Sequence, residues 1–517
     1  MDRAPDGRFQ MTFQRPGQPA RVATVDRTVG SHRYQQYLTR IGDSYWRLPV
    51  AWSVTDGRWF PMTSAFLFRD PDPAASREPS GRLPDDPRPV FGGGDFDRHV
   101  TRWNDNCVFC HNVAPNPARD PETGRFATRV AELGVACEAC HGPGGEHVAR
   151  NADPARRARL AGGAADPTIV SPARLSPGRS ADLCGRCHGQ RLADDVGPFL
   201  AHGDPFVPGD DLALESAPLW RDTALHGDRT AFAARFWADG TARLTAYEYQ
   251  GLLQSPCAMR GPLTCTSCHG MHDGDPRGQI RAKLAARPDA LCTGCHQGLA
   301  TAAALGAHAH HDPAGEGARC VSCHMPRIVY GVLDVHRSHR IERPDPGRNA
   351  ADGRPDACTG CHVGRTAAWA QAAAGRWWGT DRYPDAGRIP VGTSPGEAIR
   401  SGEAVARAVA ADALGRASPG LAGGRPLRLG RLLETLAGDR YPAVREIAWR
   451  SFRRLTADPS TAELVRAAGY DPAAPEDERR RALSRLLTAI PGLPPPAPDA
   501  VRTLAGRVAD QDLEIGE

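Results

Sequence analysis

The chain changes its hydrophobic rhythm twice. Over residues 1 to about 95, apolar and polar positions alternate in short runs, as in Arg21–Thr28, Ser31–Leu38 and Ser44–Thr55, with breaks such as Asp56-Gly57. Such runs, rich in Val, Tyr, Trp and Thr and bounded by turn residues, predict antiparallel strands. A small β-rich module over residues 1–95 is therefore expected, packed by Trp46, Trp52 and Trp59. Asp70 to Pro89, rich in Pro, Asp and Arg, reads as a loop. Gly92-Gly93-Gly94 reads as a turn, because no Gly-Lys-Ser/Thr follows to make a phosphate cradle.

Toward the other end the period becomes helical. Leu429, Leu432, Leu433 and Leu436 fall at i, i+3, i+4 and i+7. Val444, Ile447, Ala448, Phe452 and Leu455 keep to one face of a helix with Pro442 near its start, and Leu483, Leu486, Leu487 and Ile490 form a third stripe. Successive short amphipathic helices predict an α-helical domain over 421–517, either HEAT-like stacked repeats or a plain bundle. Residues 366–420 read as a linker with helical segments.

Between these regions, residues 96–365 keep neither rhythm, and a motif repeats instead. Cys-x-x-Cys-His occurs seven times, at Cys107/Cys110/His111, Cys137/Cys140/His141, Cys184/Cys187/His188, Cys265/Cys268/His269, Cys292/Cys295/His296, Cys320/Cys323/His324 and Cys358/Cys361/His362. Two thiols three residues apart can bond to the two vinyl groups of one porphyrin, and the adjacent histidine is then held under the iron. Half of a zinc site is the alternative for one isolated copy, and a disulfide framework is the alternative for an even set. Neither requires a histidine after the second cysteine, yet all seven copies have one. The motifs imply seven covalently attached haem c groups and consume fourteen of the fifteen cysteines. The remaining thiol, Cys257, could ligate iron, react with a sulfur substrate, or be inert and buried.

This changes how composition is read. Only 6% of the 517 residues are aromatic. Porphyrins supply large flat apolar surfaces, so a heptahaem cytochrome c domain over 96–365 needs few apolar runs. It is expected to be mostly irregular, with short α-helices at the motifs, in a multidomain chain. The steps between successive motifs are 30, 47, 81, 27, 28 and 38 residues, and the longest holds an insertion, Leu192–Ser255. Within it Phe236-Trp237-Ala238-Asp239-Gly240 reads as a strand entering a turn.

The formal charge of +4 becomes roughly −3 oxidised and −10 reduced once propionates and irons are added. Apart from Lys283 the basic residues are arginines, which hold carboxylates in paired hydrogen bonds and could serve propionates. No basic cluster interleaved with aromatics points to nucleic acid. Thioether attachment takes place outside the cytoplasm, so a periplasmic or extracellular protein is expected. Met1–Gln10 shows no signal peptide pattern. No apolar run approaches the roughly 18 residues of a membrane span.

Axial ligands decide function: two histidines make a low-spin relay, whereas an open position binds substrate. Beyond the seven motif histidines there are eleven others. His147, His272, His339 and His310 or His311 are the leading candidates for distal ligands, followed by His99, His202 and His226. His272 lies three residues after His269, too close to reach round to the far face of the same haem. If it is a ligand, it serves a neighbour, and the same holds for His147 after His141.

Glu138-Ala139-Cys140-His141-Gly142-Pro143-Gly144-Gly145-Glu146-His147, Cys265–His269 with His272, and Cys320–His324 with Met325-Pro326 resemble multihaem cytochromes c of the hydroxylamine oxidoreductase superfamily. A looser similarity, through Gln35-Gln36-Tyr37-Leu38, Leu48-Pro49, Trp59-Phe60 and Arg337-Ser338-His339-Arg340-Ile341, is to members whose haem domain is followed by helical repeats. The resemblance covers roughly residues 20–365 and implies bis-histidine haems that transfer electrons. A Cys-x-x-Cys-Lys site like that of pentahaem nitrite reductases is absent. Many enzymes of the superfamily carry eight haems, against seven motifs here.

The expected function is electron transfer along seven haems between redox protein donors and acceptors. One alternative is an oxidoreductase with one open-coordination haem acting on a small nitrogen or sulfur compound. Another is a homo-oligomer or a subunit of an extracellular cytochrome filament.

Overall fold

The computed structural model describes residues 1–14, 19–70, 101–272, 279–384, 394–416, 424–507 and 512–513. The loop read at Asp70–Pro89, apart from Asp70, the glycines 92–94 and His99 lie outside them, as do parts of the region between 366 and 420. Described elements are mostly short helices, with several small antiparallel sheets.

The alternating segments near the N-terminus form strands. Arg27–Val29, Tyr34–Ile41, Ser44–Ser53 and Arg58–Pro61 make a four-stranded antiparallel sheet in sequence order. Phe9–Phe13 pairs with Asp2–Arg3 and Arg21–Thr24 in a second sheet. Trp46 is buried, and Trp52 meets Trp59 edge-on at 5.2 Å. Phe236 bridges Ala242 around Gly240, whose φ of +80° suits the turn that glycine alone adopts at low cost.

The three helical stripes lie on Gly424–Gly438, Pro442–Leu455 and Glu476–Ala489, and their leucines are buried. Helices begin earlier, at Pro395–Ser401 and Ala404–Arg416, inside the region read as a linker with helical segments. Gly424–Gly438 touches five other helices. Both stacked helix pairs and a plain bundle place a central helix against this many others.

One apolar core joins these helices to the rest of the chain. Phe60 and Phe66 from the N-terminal module, Phe236 and Tyr247 from the insertion, and Ile328 and Tyr330 from the strand Arg327–Gly331 pack with Val405, Leu433 and Phe452. Tyr330 donates a hydrogen bond from its hydroxyl to the Ala65 carbonyl at 3.1 Å.

A buried charge network fixes the insertion against the segment between the sixth and seventh motifs. Asp239, 1% exposed, accepts from Arg340 at 3.0 Å and from the Thr241 hydroxyl at 2.9 Å, with Arg354 3.5 Å away. Burial alone would raise the Asp239 pKa, but Arg354, Thr241 and Arg340 outweigh it and hold the carboxyl below its ordinary value of 3.8. A depressed folded pKa contributes stability that is present above the unfolded value and is lost as pH falls through the folded one. Asp239→Asn is therefore expected to be less stable than wild type at pH 7, and the gap should narrow in acid. Denaturant titrations at pH 7 and below pH 3 check this; a gap independent of pH would contradict it.

Candidate haem-binding cavity

Each motif is built as about one helical turn. The histidine N–H donates to the carbonyl of the first cysteine at 3.1 Å for His111, 2.9 Å for His269, 2.8 Å for His296 and 2.9 Å for His362. A turn of this kind puts residues three apart on one face, so both sulfurs point the same way. The turn at Cys265–Cys268 is held by a capping box between Thr264 and Ser267. The Pro177–His188 helix carries its motif at the C-terminal end.

All seven motifs face one continuous cavity of about 3260 Å³. Pockets for single small ligands are commonly about 300–1,000 Å³, so this space suits several large planar groups. No disulfide joins any of the cysteines. Among the described residues no cluster of His, Cys, Asp or Glu is arranged to hold a metal ion by itself.

The motifs adjoin one another. Cys110 and Cys187 are within hydrogen-bond reach, as are Cys184 and Cys265, and Cys292 and Cys320. Cys257 lines the cavity near Cys292 and Cys295, and burial raises its pKa.

Four motif histidines each face another histidine. Ring centroids are 5.9 Å apart for His141 and His272, 6.3 Å for His269 and His339, 6.3 Å for His308 and His324, and 6.1 Å for His311 and His362. The first three pairs are parallel within 23°. With metal–imidazole bonds of about 2 Å, two imidazoles on opposite faces of one metal stand roughly 6 Å apart, centre to centre.

The outer ring nitrogens are also engaged. Nδ1 of His141 bonds the Val170 carbonyl at 2.7 Å, that of His324 the Glu342 carbonyl at 2.8 Å, and that of His311 the Ala309 carbonyl at 2.7 Å. Such partners fix the tautomer and leave Nε2 for a metal. Burial, reinforced by neighbouring histidines, lowers the pKa of His111, His308 and His362. Neutral imidazole, the ligating form, is thereby favoured.

The remaining candidates are placed elsewhere. His147 does not line the cavity; its Nδ1 is 3.1 Å from Asp166 and it also contacts Asn151. His310 stacks on Trp377 at 4.8 Å. His202 and His226 are also absent from the cavity wall, whereas His32 and His336 belong to it. His308 stood outside the candidates favoured from sequence. Its only signal is its position three residues before His311, and a left-handed residue, His310 at φ +52°, ends the helix between them. That turn sends His308 toward His324 and His311 toward His362.

Repeated Cys-x-x-Cys-His turns around a shared apolar cavity support a multihaem c-type cytochrome, a class that binds haem covalently and works with redox partners. A family model described as a doubled CXXCH motif matches residues 256–301, which include the motifs at Cys265 and Cys292. No curated protein and no solved structure matches the chain. Among the described residues no helix is long and apolar enough to cross a membrane.

Proposed function

We propose that the chain carries seven haems c, one per motif, and relays electrons along them between redox proteins outside the cytoplasm. The observation that carries this reading is the gathering of all seven motifs around one cavity. Neighbouring sulfurs at Cys110/Cys187, Cys184/Cys265 and Cys292/Cys320 support closely spaced sites. On this reading His141 and His272 would hold one iron, as would His269 and His339, His324 and His308, and His362 and His311. The haems would supply one-electron chemistry. The polypeptide sets their spacing and tunes them through ligands, burial and nearby charge.

Bis-histidine ligation agrees with the resemblance to the hydroxylamine oxidoreductase superfamily. The catalytic alternative draws on His111, His188 and His296, which face no second histidine ring among the described residues. Intact mass of the exported holoprotein should show seven haem additions, and paramagnetic resonance should show at least four low-spin ferric centres. Fewer than seven additions would overturn the haem count. A large high-spin signal would move the reading from relay toward catalyst.

A further inference from the structure

The motif histidines differ in what their outer nitrogen meets. His141 and His324 meet neutral backbone carbonyls. At His188 the neighbour is a carboxylate: Glu248 Oε2 lies 4.0 Å from Nδ1. That oxygen is buried and has no hydrogen-bond partner, whereas Oε1 accepts from the Thr245 hydroxyl at 2.9 Å. The unsatisfied acceptor is thus beside the one ring nitrogen that iron ligation through Nε2 would leave as a donor.

Close packing holds Glu248 there. It begins the short helix Glu248–Leu253, which is pressed between two other segments. A methyl group on Gly185, in the helix bearing the third motif, would sit 2.6 Å from the Tyr249 ring. A methyl group on Gly251 would sit 2.9 Å from backbone atoms of His339 and Arg340. Tyr249 also donates to Asp182 at 2.6 Å. Only glycine permits these approaches, so the helix carrying Glu248 is held in place, and the Thr245 hydroxyl holds its carboxylate.

We propose that Glu248 is a positioning residue for the haem at Cys184 and Cys187, its carboxylate held behind Nδ1 of His188 and making that haem harder to reduce. The inference rests on the reading that haem c is attached at this motif. A carboxylate behind a ligating histidine fixes the ring and raises its basicity, which favours the more positive ferric iron. Reduction adds one electron, taken from the titrating reductant, and breaks no bond; the added charge is opposed by the nearby carboxylate.

Glu248→Gln keeps the volume and the acceptor for Thr245 but removes the charge. Glu248 also faces His339, the proposed ligand of the haem on Cys265 and Cys268. In a spectroelectrochemical titration of the holoprotein, the haem at Cys184 and Cys187 is expected to become about tenfold easier to reduce, ~59 mV for one electron. A smaller shift in the same direction is expected at the haem on Cys265 and Cys268, with the remaining midpoints and the haem number unchanged. Thr245→Val, which loosens the carboxylate, should move the same wave by less. If Glu248→Gln loses haem, Thr245→Val carries the test alone. Unchanged midpoints in fully loaded variants would overturn this inference and leave the relay reading intact. Peptide mapping that finds bare Cys184 and Cys187 in wild type would overturn both.

Discussion

Replacing His272 by alanine is expected to leave every haem attached and to convert one ferric haem from low to high spin. Attachment depends on the thioethers, and His272 belongs to no motif. Its ring faces that of His141 at 5.9 Å, with planes 12° apart. The haem affected is therefore the one on Cys137 and Cys140, not the one on Cys265 and Cys268, whose motif ends three residues before it at His269. His339→Ala should do the same to the haem on Cys265 and Cys268, because His339 faces His269. The double variant should show two high-spin centres. His310→Ala is the control: its ring stacks on Trp377, so the spin state should not change. Paramagnetic resonance on holoprotein with haem content confirmed by mass reads all four variants. A low-spin spectrum in His272→Ala would remove this residue from the ligands.

Cofactor chemistry was legible in the sequence because it is local. Two sulfurs and a histidine within five residues suffice for attachment, and one helical turn builds the motif. The strands Tyr34–Ile41 and Ser44–Ser53 were legible for a similar reason, since alternation is a short-range signal. Distal ligands are different, because tertiary packing brings them in. His272 could be assigned to a neighbouring haem by the limit of its reach, but which neighbour depends on how the segment after Cys268 lies against Cys137–His141. His147 and His308 show how little spacing says about placement. His147 follows its motif closely yet does not line the cavity, while His308 has no motif beside it yet faces His324. The shared core was equally hidden. Phe236, Tyr247 and Tyr330 stand in irregular or short elements, and nothing in their local pattern announces that they pack on helices far later in the chain.

Those helices hold the site of the largest expected loss of stability, Arg407→Ala. Arg407 and Asp439 are 1% and 0% exposed, with Nε–Oδ2 at 2.6 Å and Nη2–Oδ1 at 3.2 Å. Nη1 also donates to the Gly402 carbonyl at 2.9 Å, and Asp439 Oδ1 accepts from the Tyr441 N–H at 2.9 Å. The fork ties Ala404–Arg416 to the turn between Gly424–Gly438 and Pro442–Leu455. Removing the arginine strands a carboxylate among these helices without water, which typically costs about 3–5 kcal/mol. Replacing both partners together, as Arg407→Met with Asp439→Leu, deletes both desolvation penalties and should lie much closer to wild type. Denaturant titration followed by helical circular dichroism measures the three proteins. The pair lies away from the motifs between 107 and 362, so haem content at rest should be equal in all of them. A single variant within about 1 kcal/mol of wild type, the range of an exposed ion pair, would mean that water reaches Asp439 in solution.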